Sequence, residues 1–125
     1  MPMNPQSGRV AQEEIAWSLE PDNHLKYKQL LTSKSHGPDI SVTLVEIDGK
    51  HLELRTDSSS RVYVIYEGEF TFTIEGSTFS AKKGDVIRIA RGETYSFQGA
   101  GRYLVINSPA FKSGDDIYSD GKTDR

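Results

Sequence analysis

The amino-acid sequence predicts an all-β domain, and three observations carry that prediction. Residues 69–75 alternate strictly, with Phe70, Phe72 and Ile74 on one side and Glu69, Thr71, Thr73 and Glu75 on the other, which is the period of a strand with one buried face. From residue 25 onward, short runs of β-branched and aromatic residues are separated by turn-forming residues at spacings of roughly 8–12, the rhythm of a sandwich or barrel. No stretch sustains a helical period. A chain of 125 residues has room for one core, so these strands share it.

Residues 1–8 carry Pro2, Pro5 and Gly8 with few apolar groups, so the extreme N-terminus is expected to be loose. In 10–19 the apolar Val10, Ile15, Trp17 and Leu19 fit neither period, which leaves a short helix or an irregular strand, and 1–24 reads as an N-terminal arm. Strands follow at 25–31, 40–47, 51–57, 61–66, 69–75, 78–81, 86–90, 94–98 and 102–107. The punctuation between them is 33–39, Asp48 with Gly49, 56–60, Glu67 with Gly68, Glu75 with Gly76, Lys83-Gly84-Asp85, Arg91 with Gly92, and 99–101. Tight turns at Gly49, Gly68, Gly84 and Gly92 call for a residue that tolerates positive φ. The strands make a barrel domain over 25–111, and the polar 112–125, built around Gly114 and Gly121, reads as a flexible tail. So many antiparallel strands in a short chain must protect their edges, by closing into a barrel or by pairing across a dimer.

Composition removes several function classes. Lys and Arg total 15 against 18 Asp and Glu, a net charge of −3 with no basic cluster, which leaves no electrostatic footprint for nucleic acid or anionic lipid. The longest clearly apolar run, 62–66, is far below the ~18 residues of a membrane span, and the polar N-terminus has no signal-like core. The absence of cysteine excludes disulfides, thiolate metal sites and Cys nucleophiles. A soluble, cytoplasmic protein is expected.

The phosphate loop G-x-x-x-x-G-K-[S/T], the fingerprint G-x-G-x-x-G, H-E-x-x-H and G-x-S-x-G are all missing. His24, His36 and His51 stand at least twelve residues apart, so no pair shares one strand or helical turn. The informative stretch runs from Gly49 to Gly99. Gly49, Arg55, Asp57, Arg61 and Gly68 fall at the spacing G-x5-H-x-H-x3,4-E-x6-G, and Gly84, Ala90, Gly92, Tyr95 and Gly99 at G-x5-P-x-G-x2-H-x3-N. In those two motifs the chain resembles the cupin family of small β-barrels. The resemblance implies a cupin-type antiparallel β-barrel (jelly roll) with a short N-terminal arm, and a homodimer formed by exchange of edge strands.

The scaffold glycines match and the family's metal ligands do not, because the ligand positions read Arg55, Asp57, Arg61 and Tyr95. A guanidinium offers no lone pair, and two of them repel a divalent cation, so no metal and no other cofactor is expected. If these side chains point into the barrel, Arg55, Asp57, Arg61 and Tyr95 form a polar, partly cationic pocket for a carboxylate, a phosphate or a polyhydroxylated molecule. Tyr63 and Phe97, which share alternation with Arg61 and Tyr95, supply its wall. Patterning alone gives the opposite orientation for one strand. In 51–57 the polar His51, Glu53, Arg55 and Asp57 alternate with Leu52, Leu54 and Thr56, so inward leucines send Arg55 to water and leave His51 exposed.

His24 and His36 fall in loops and read as surface residues, Trp17 as core packing or an anchor for the arm, and Ser58, Ser59 and Ser60 as a turn. Three functions fit. One is metal-free binding of a small polar or anionic molecule (sugar, sugar acid or organic acid) in a binding or accessory role. The second is a metal-independent sugar isomerase or epimerase with Tyr95 and either His51 or Asp57 as acid and base. The third is a divergent metal-dependent cupin that recruits His51, Glu53 and Asp57.

Overall fold

The computed structural model describes residues 8–123, so the loose end expected at 1–8 lies, apart from Gly8, outside the described residues, as do positions 124–125 of the tail. The strands are β1 (Ser18–Glu20), β2 (Leu25–Leu31), β3 (Ser41–Thr56), β4 (Ser60–Ile74), β5 (Ser77–Lys82), β6 (Val86–Ile89), β7 (Tyr95–Ser108) and β8 (Asp116–Tyr118). All pair antiparallel in the order β1-β2-β3-β7-β4-β5, with β6 on β4 and β8 on β3, and this ladder does not close on itself. A single helical turn, α1 (Ser33–His36), is capped by the Thr32 side chain.

Three pairs of expected strands are continuous in the structure: 40–47 with 51–57 in β3, 61–66 with 69–75 in β4, and 94–98 with 102–107 in β7. The glycines between them are not loops. They lie side by side in register, Gly49 opposite Gly99 and Gly68 opposite Gly101, where the three long strands pass close together. A Cβ on Gly68 would collide with the Ala100 carbonyl oxygen, and one on Gly101 with that of Glu67. Glu75 and Gly76, both at positive φ, do form the tight two-residue hairpin between Ile74 and Ser77.

One face of the curled sheet holds the core. Tyr63, Ile65, Phe70, Phe72, Phe97 and Tyr103 are buried there, with Ile47, Leu54, Ile87 and Ile89. Tyr63 sits at the centre, its ring centroid 5.1 Å from Tyr103, 5.2 Å from Phe97 and 5.5 Å from Phe72, each edge to face.

Segments of the arm and of the tail are tied to this sheet. The arm makes a 3₁₀ turn at Gln12–Glu14 and then pairs through β1. Trp17 is half-buried, not in the core but under two ammonium groups, Lys26 at 4.5 Å and Lys28 at 4.8 Å from its ring centre. In the segment read as a flexible tail, Asp116–Tyr118 instead adds a strand to β3, with Leu54 opposite Tyr118 and Thr56 opposite Asp116. Tyr118 is buried, and that apolar anchor in an otherwise polar stretch accounts for the order.

Candidate functional site

A β-bulge in β3 sets up the site. His51 lies opposite Phe97, yet the next pair in register is Leu54 with Tyr95, so β3 uses one more residue than β7 between them. The extra residue breaks the alternation that would have put His51 on the same face as Glu53, Arg55 and Asp57. His51 and Leu54 both turn inward, while Glu53, Arg55 and Asp57 are exposed. The backbone N–H of the bulged Leu52 is satisfied by Asn23 Oδ1 at 2.8 Å. Asn23 is itself fully buried and donates to Glu20 Oε2 at 2.6 Å and to the Tyr118 hydroxyl at 2.9 Å, so it ties the arm, the bulge and β8 together.

His51 is therefore buried, where patterning leaves it exposed. Its ring is stacked on Phe97 at 4.8 Å. Its Nδ1 lies 2.9 Å from the Leu52 carbonyl oxygen, which can only accept, so Nδ1 carries the proton and Nε2 the lone pair. Burial pushes its pKa down to about 4, with the Leu52 carbonyl opposing and Arg61 adding to the effect. The imidazole is neutral at physiological pH.

Arg61 is buried with every nitrogen engaged. Nε donates to Asn107 Oδ1 at 2.8 Å, one terminal nitrogen to the Tyr95 hydroxyl at 2.9 Å, and the other to Asp116 Oδ1 at 2.6 Å. Burial works against the charge, but Tyr95 and Asp116 outweigh it and the guanidinium stays protonated. The Tyr63 and Tyr95 hydroxyls are 2.6 Å apart, and burial raises the pKa of both, so they too keep their protons. Either hydroxyl can donate across this contact; with Tyr95, which already accepts from Arg61, as the donor, the Tyr63 O–H is left to point elsewhere.

These groups border a cavity of about 290 Å³, at the small end of ligand cavities. His51, Arg61, Tyr63, Asn107, Asp116 and Glu20 give it a polar surface, and Leu25, Val45 and Val105 an apolar one. Of the residues the sequence singled out, Arg61, Tyr63 and His51 line it. Tyr95 and Phe97 stand behind that wall, Tyr95 against Arg61 and Tyr63, Phe97 under His51. Arg55 and Asp57 lie outside it, paired with each other at 3.3 Å with side chains 46% and 55% exposed.

Two corrections follow. The cavity is not cationic, because Glu20 and Asp116 set two carboxylates against one guanidinium that already spends three of its five N–H groups on protein acceptors. Nor do its residues fit the ion that the divergent metal-dependent alternative calls for. Arg61 occupies the cavity at one of the ligand positions, and in the alternative set Glu53 faces out to accept from Ser119 Oγ at 2.7 Å while Asp57 is exposed. Among the described residues no group of three or more His, Cys, Asp or Glu is placed to hold an ion. His24 and His36 lie away from the site, His24 exposed and His36 in α1 against Ser35.

Asn107, Asp116, Glu20 and Tyr103 are cavity residues that sequence reasoning missed. Asn107 had a legible signal, since it shares alternation with Tyr103 and Val105 on β7. Asp116 had none, because nothing local connects it to Arg61, 55 residues earlier.

Residues 6–113 match the family model described as ethanolamine utilisation protein EutQ. The chain belongs to the EutQ family. Solved structures extend the match in three dimensions. Pac13, a nucleoside dehydratase from Streptomyces, superposes with a TM-score of 0.77 at 18% identity over 95% of this chain and 92% of its own. An RmlC-like cupin from Shewanella frigidimarina gives 0.71 at 19% over 88% and 97%, and the EutQ protein of Salmonella typhimurium 0.62 at 24% over 72% and 76%. These likenesses are of fold, and they show that this EutQ-family chain has the cupin-type jelly-roll fold. No curated protein sequence matches it. Among the described residues no helix is long and apolar enough to cross a membrane.

Proposed function

We propose that this EutQ-family cupin binds a small, neutral, hydroxyl-rich molecule in its cavity and transfers protons on it without a metal, His51 removing a proton and Tyr63 delivering one. One observation carries the reading: a cavity-lining histidine held neutral by burial, with Nδ1–H committed to the Leu52 carbonyl and Nε2 left as the basic nitrogen. The charge balance of Glu20, Asp116 and Arg61 favours a neutral ligand over the carboxylates and phosphates that a free guanidinium would attract.

In such a reaction the proton leaves a carbon next to a carbonyl for His51 Nε2. The electron pair moves toward the carbonyl oxygen and then either takes a proton back on carbon, giving isomerisation, or expels a β-hydroxyl that Tyr63 protonates to water, giving dehydration. Arg61 and Tyr95 act behind Tyr63, polarising its hydroxyl. The Streptomyces neighbour supports a sugar-like substrate: it is called a nucleoside dehydratase and has been solved with uridine in variants that replace one histidine by glutamine and two tyrosines by phenylalanine. In this chain His51 and Tyr63 line one cavity, and the Tyr95 hydroxyl is bonded to that of Tyr63 behind its wall.

The test is proton NMR in D₂O with a panel of nucleosides, aldoses, ketoses and their oxidised forms. Loss of a substrate C–H signal with the wild-type protein, abolished in His51→Gln while binding persists, is the expected result. A panel member that binds with no exchange and no conversion refutes the proton transfer and leaves a binding protein.

A further inference from the structure

One row of the cavity wall runs across three strands: Ser41 on β3, Asn107 on β7 and Arg61 on β4 stand in register, and all border the space. Asn107 is only 4% exposed. Its carboxamide has one orientation, because Arg61 Nε can only donate and lies 2.8 Å from Oδ1. The amide nitrogen therefore points away from the guanidinium. Among the described residues it is bonded to no acceptor, yet it is not sealed in: the partnerless side-chain atoms that are closed off completely are Thr56 Oγ1 and Ser59 Oγ. Two N–H groups thus open on the cavity from a residue that is otherwise buried. Such donors are costly to leave unbonded unless water or a ligand accepts from them.

The other groups of the wall decide which ligand atom comes here. The Glu20 and Asp116 carboxylates and His51 Nε2 accept hydrogen bonds, so they draw the hydroxyls of a ligand. A carbonyl oxygen has no proton to give and must go to a donor. Tyr63 is committed to the departing β-hydroxyl in the proton transfer proposed above, and Tyr103 lies four residues from Asn107 along β7, in the row of Val45. Asn107 and Tyr63 are diagonal neighbours, Tyr63 standing two residues beyond Arg61, the partner of Asn107 in register. Such neighbours are roughly 7–8 Å apart, so one short carbon chain can present its carbonyl to Asn107 and its β-hydroxyl to Tyr63. By donating into Oδ1, Arg61 also polarises the amide and makes its N–H groups better donors.

We infer that Asn107 holds the carbonyl of the substrate, Nδ2 donating to its oxygen, and that the substrate class is a hydroxylated ketone or aldehyde and not a polyol. This role rests on the proton transfer proposed above and supplies the donor that the transfer requires. As the proton passes from the α-carbon to His51 Nε2, the electron pair arrives on the carbonyl oxygen, and Asn107 stabilises the charge there. No bond to Asn107 forms or breaks, and its protons stay on nitrogen.

Erythrulose and erythritol make the test, since one carries a ketone where the other carries a hydroxyl. Titration followed by ligand-detected NMR should show the wild-type protein binding erythrulose about tenfold more tightly than erythritol. Asn107→Asp keeps an oxygen for Arg61 Nε and the shape of the side chain, and removes the donor. It should fold as the wild type does by circular dichroism, lose the preference, and slow exchange of the erythrulose C3–H in D₂O by about 100-fold or more. With ¹⁵N-asparagine in the wild-type chain, one of three side-chain amide pairs should shift on adding erythrulose and stay in place with erythritol, a result that needs no variant. A wild-type protein that binds the two equally, or binds neither, overturns the inference, as does a preference or an exchange rate unchanged in Asn107→Asp. A preference that Asn107→Asp abolishes, with no exchange in the wild type, overturns the proton transfer instead and leaves Asn107 as the residue that binds the carbonyl.

Discussion

Substituting His51 by glutamine tests the energetic basis of the site through its pH dependence. In the unfolded chain the imidazole has its ordinary pKa near 6.5, and in the native protein burial holds it at about 4. Between those values the unfolded chain takes up a proton that the native protein refuses. Above pH 6.5 neither state is protonated and the histidine adds no slope. As pH falls from 6.5 to 4 the native state loses about 3 kcal/mol, at 1.36 kcal/mol per tenfold difference in proton affinity. Native carboxylates such as Glu46, held low by Arg102 and Lys26 against a burial effect that raises it, add their own acid slope. Comparison with His51→Gln removes that background. Urea unfolding of both proteins from pH 4 to 8 should give curves that run parallel above pH 6.5 and converge or cross below it, the wild type falling faster by about 3 kcal/mol. Parallel curves across the whole range would show that His51 titrates like a solvated imidazole, and the argument for a neutral base would fall with it.

Asp116→Ala should cost about 3 kcal/mol in unfolding free energy, because it leaves the buried Arg61 guanidinium without its carboxylate, and an unchanged denaturation midpoint would count against that pair. Arg55→Ala and Asp57→Ala should each change stability by no more than about 0.5 kcal/mol and leave ligand-induced thermal shifts untouched, since both side chains are solvated and lie outside the cavity. Gly101→Ala should abolish folding or lower Tm steeply, as the added Cβ meets the Glu67 carbonyl, whereas Gly114→Ala, with open space around it, should cost only the strain of its positive φ; equal melting temperatures would refute the close-approach reading.

How far the site was legible depends on the range of the interaction that places each residue. Arg61 and Tyr63 lie on a strand whose alternation is strong, and both do turn inward. Arg55 and Asp57 had two opposed readings, and the local alternation held over the family spacing, so both side chains face water. His51 was misplaced by the same alternation, since a single inserted residue reverses every orientation beyond it and nothing in 51–57 advertises the insertion. Tyr95 falls at a motif position, yet it stands behind the cavity wall, where it supports Tyr63 without lining the space.

The sequence by itself determined the all-β class, the strand at Leu25–Leu31, the buried face of Phe70 and Phe72, and the positive φ at Gly49, Gly68, Gly84 and Gly92. These are local properties, written in a period of two and in single residues. Only the tertiary structure decided that three pairs of strands are continuous, that β3 is bulged, and that Asp116 crosses 55 residues of chain to meet Arg61. Those outcomes depend on which strand lies beside which, and register is settled by packing over the whole sheet. The chemistry of the cavity therefore belongs to the folded chain, where burial sets the charge of His51 and Asp116, distant in sequence, pairs with Arg61.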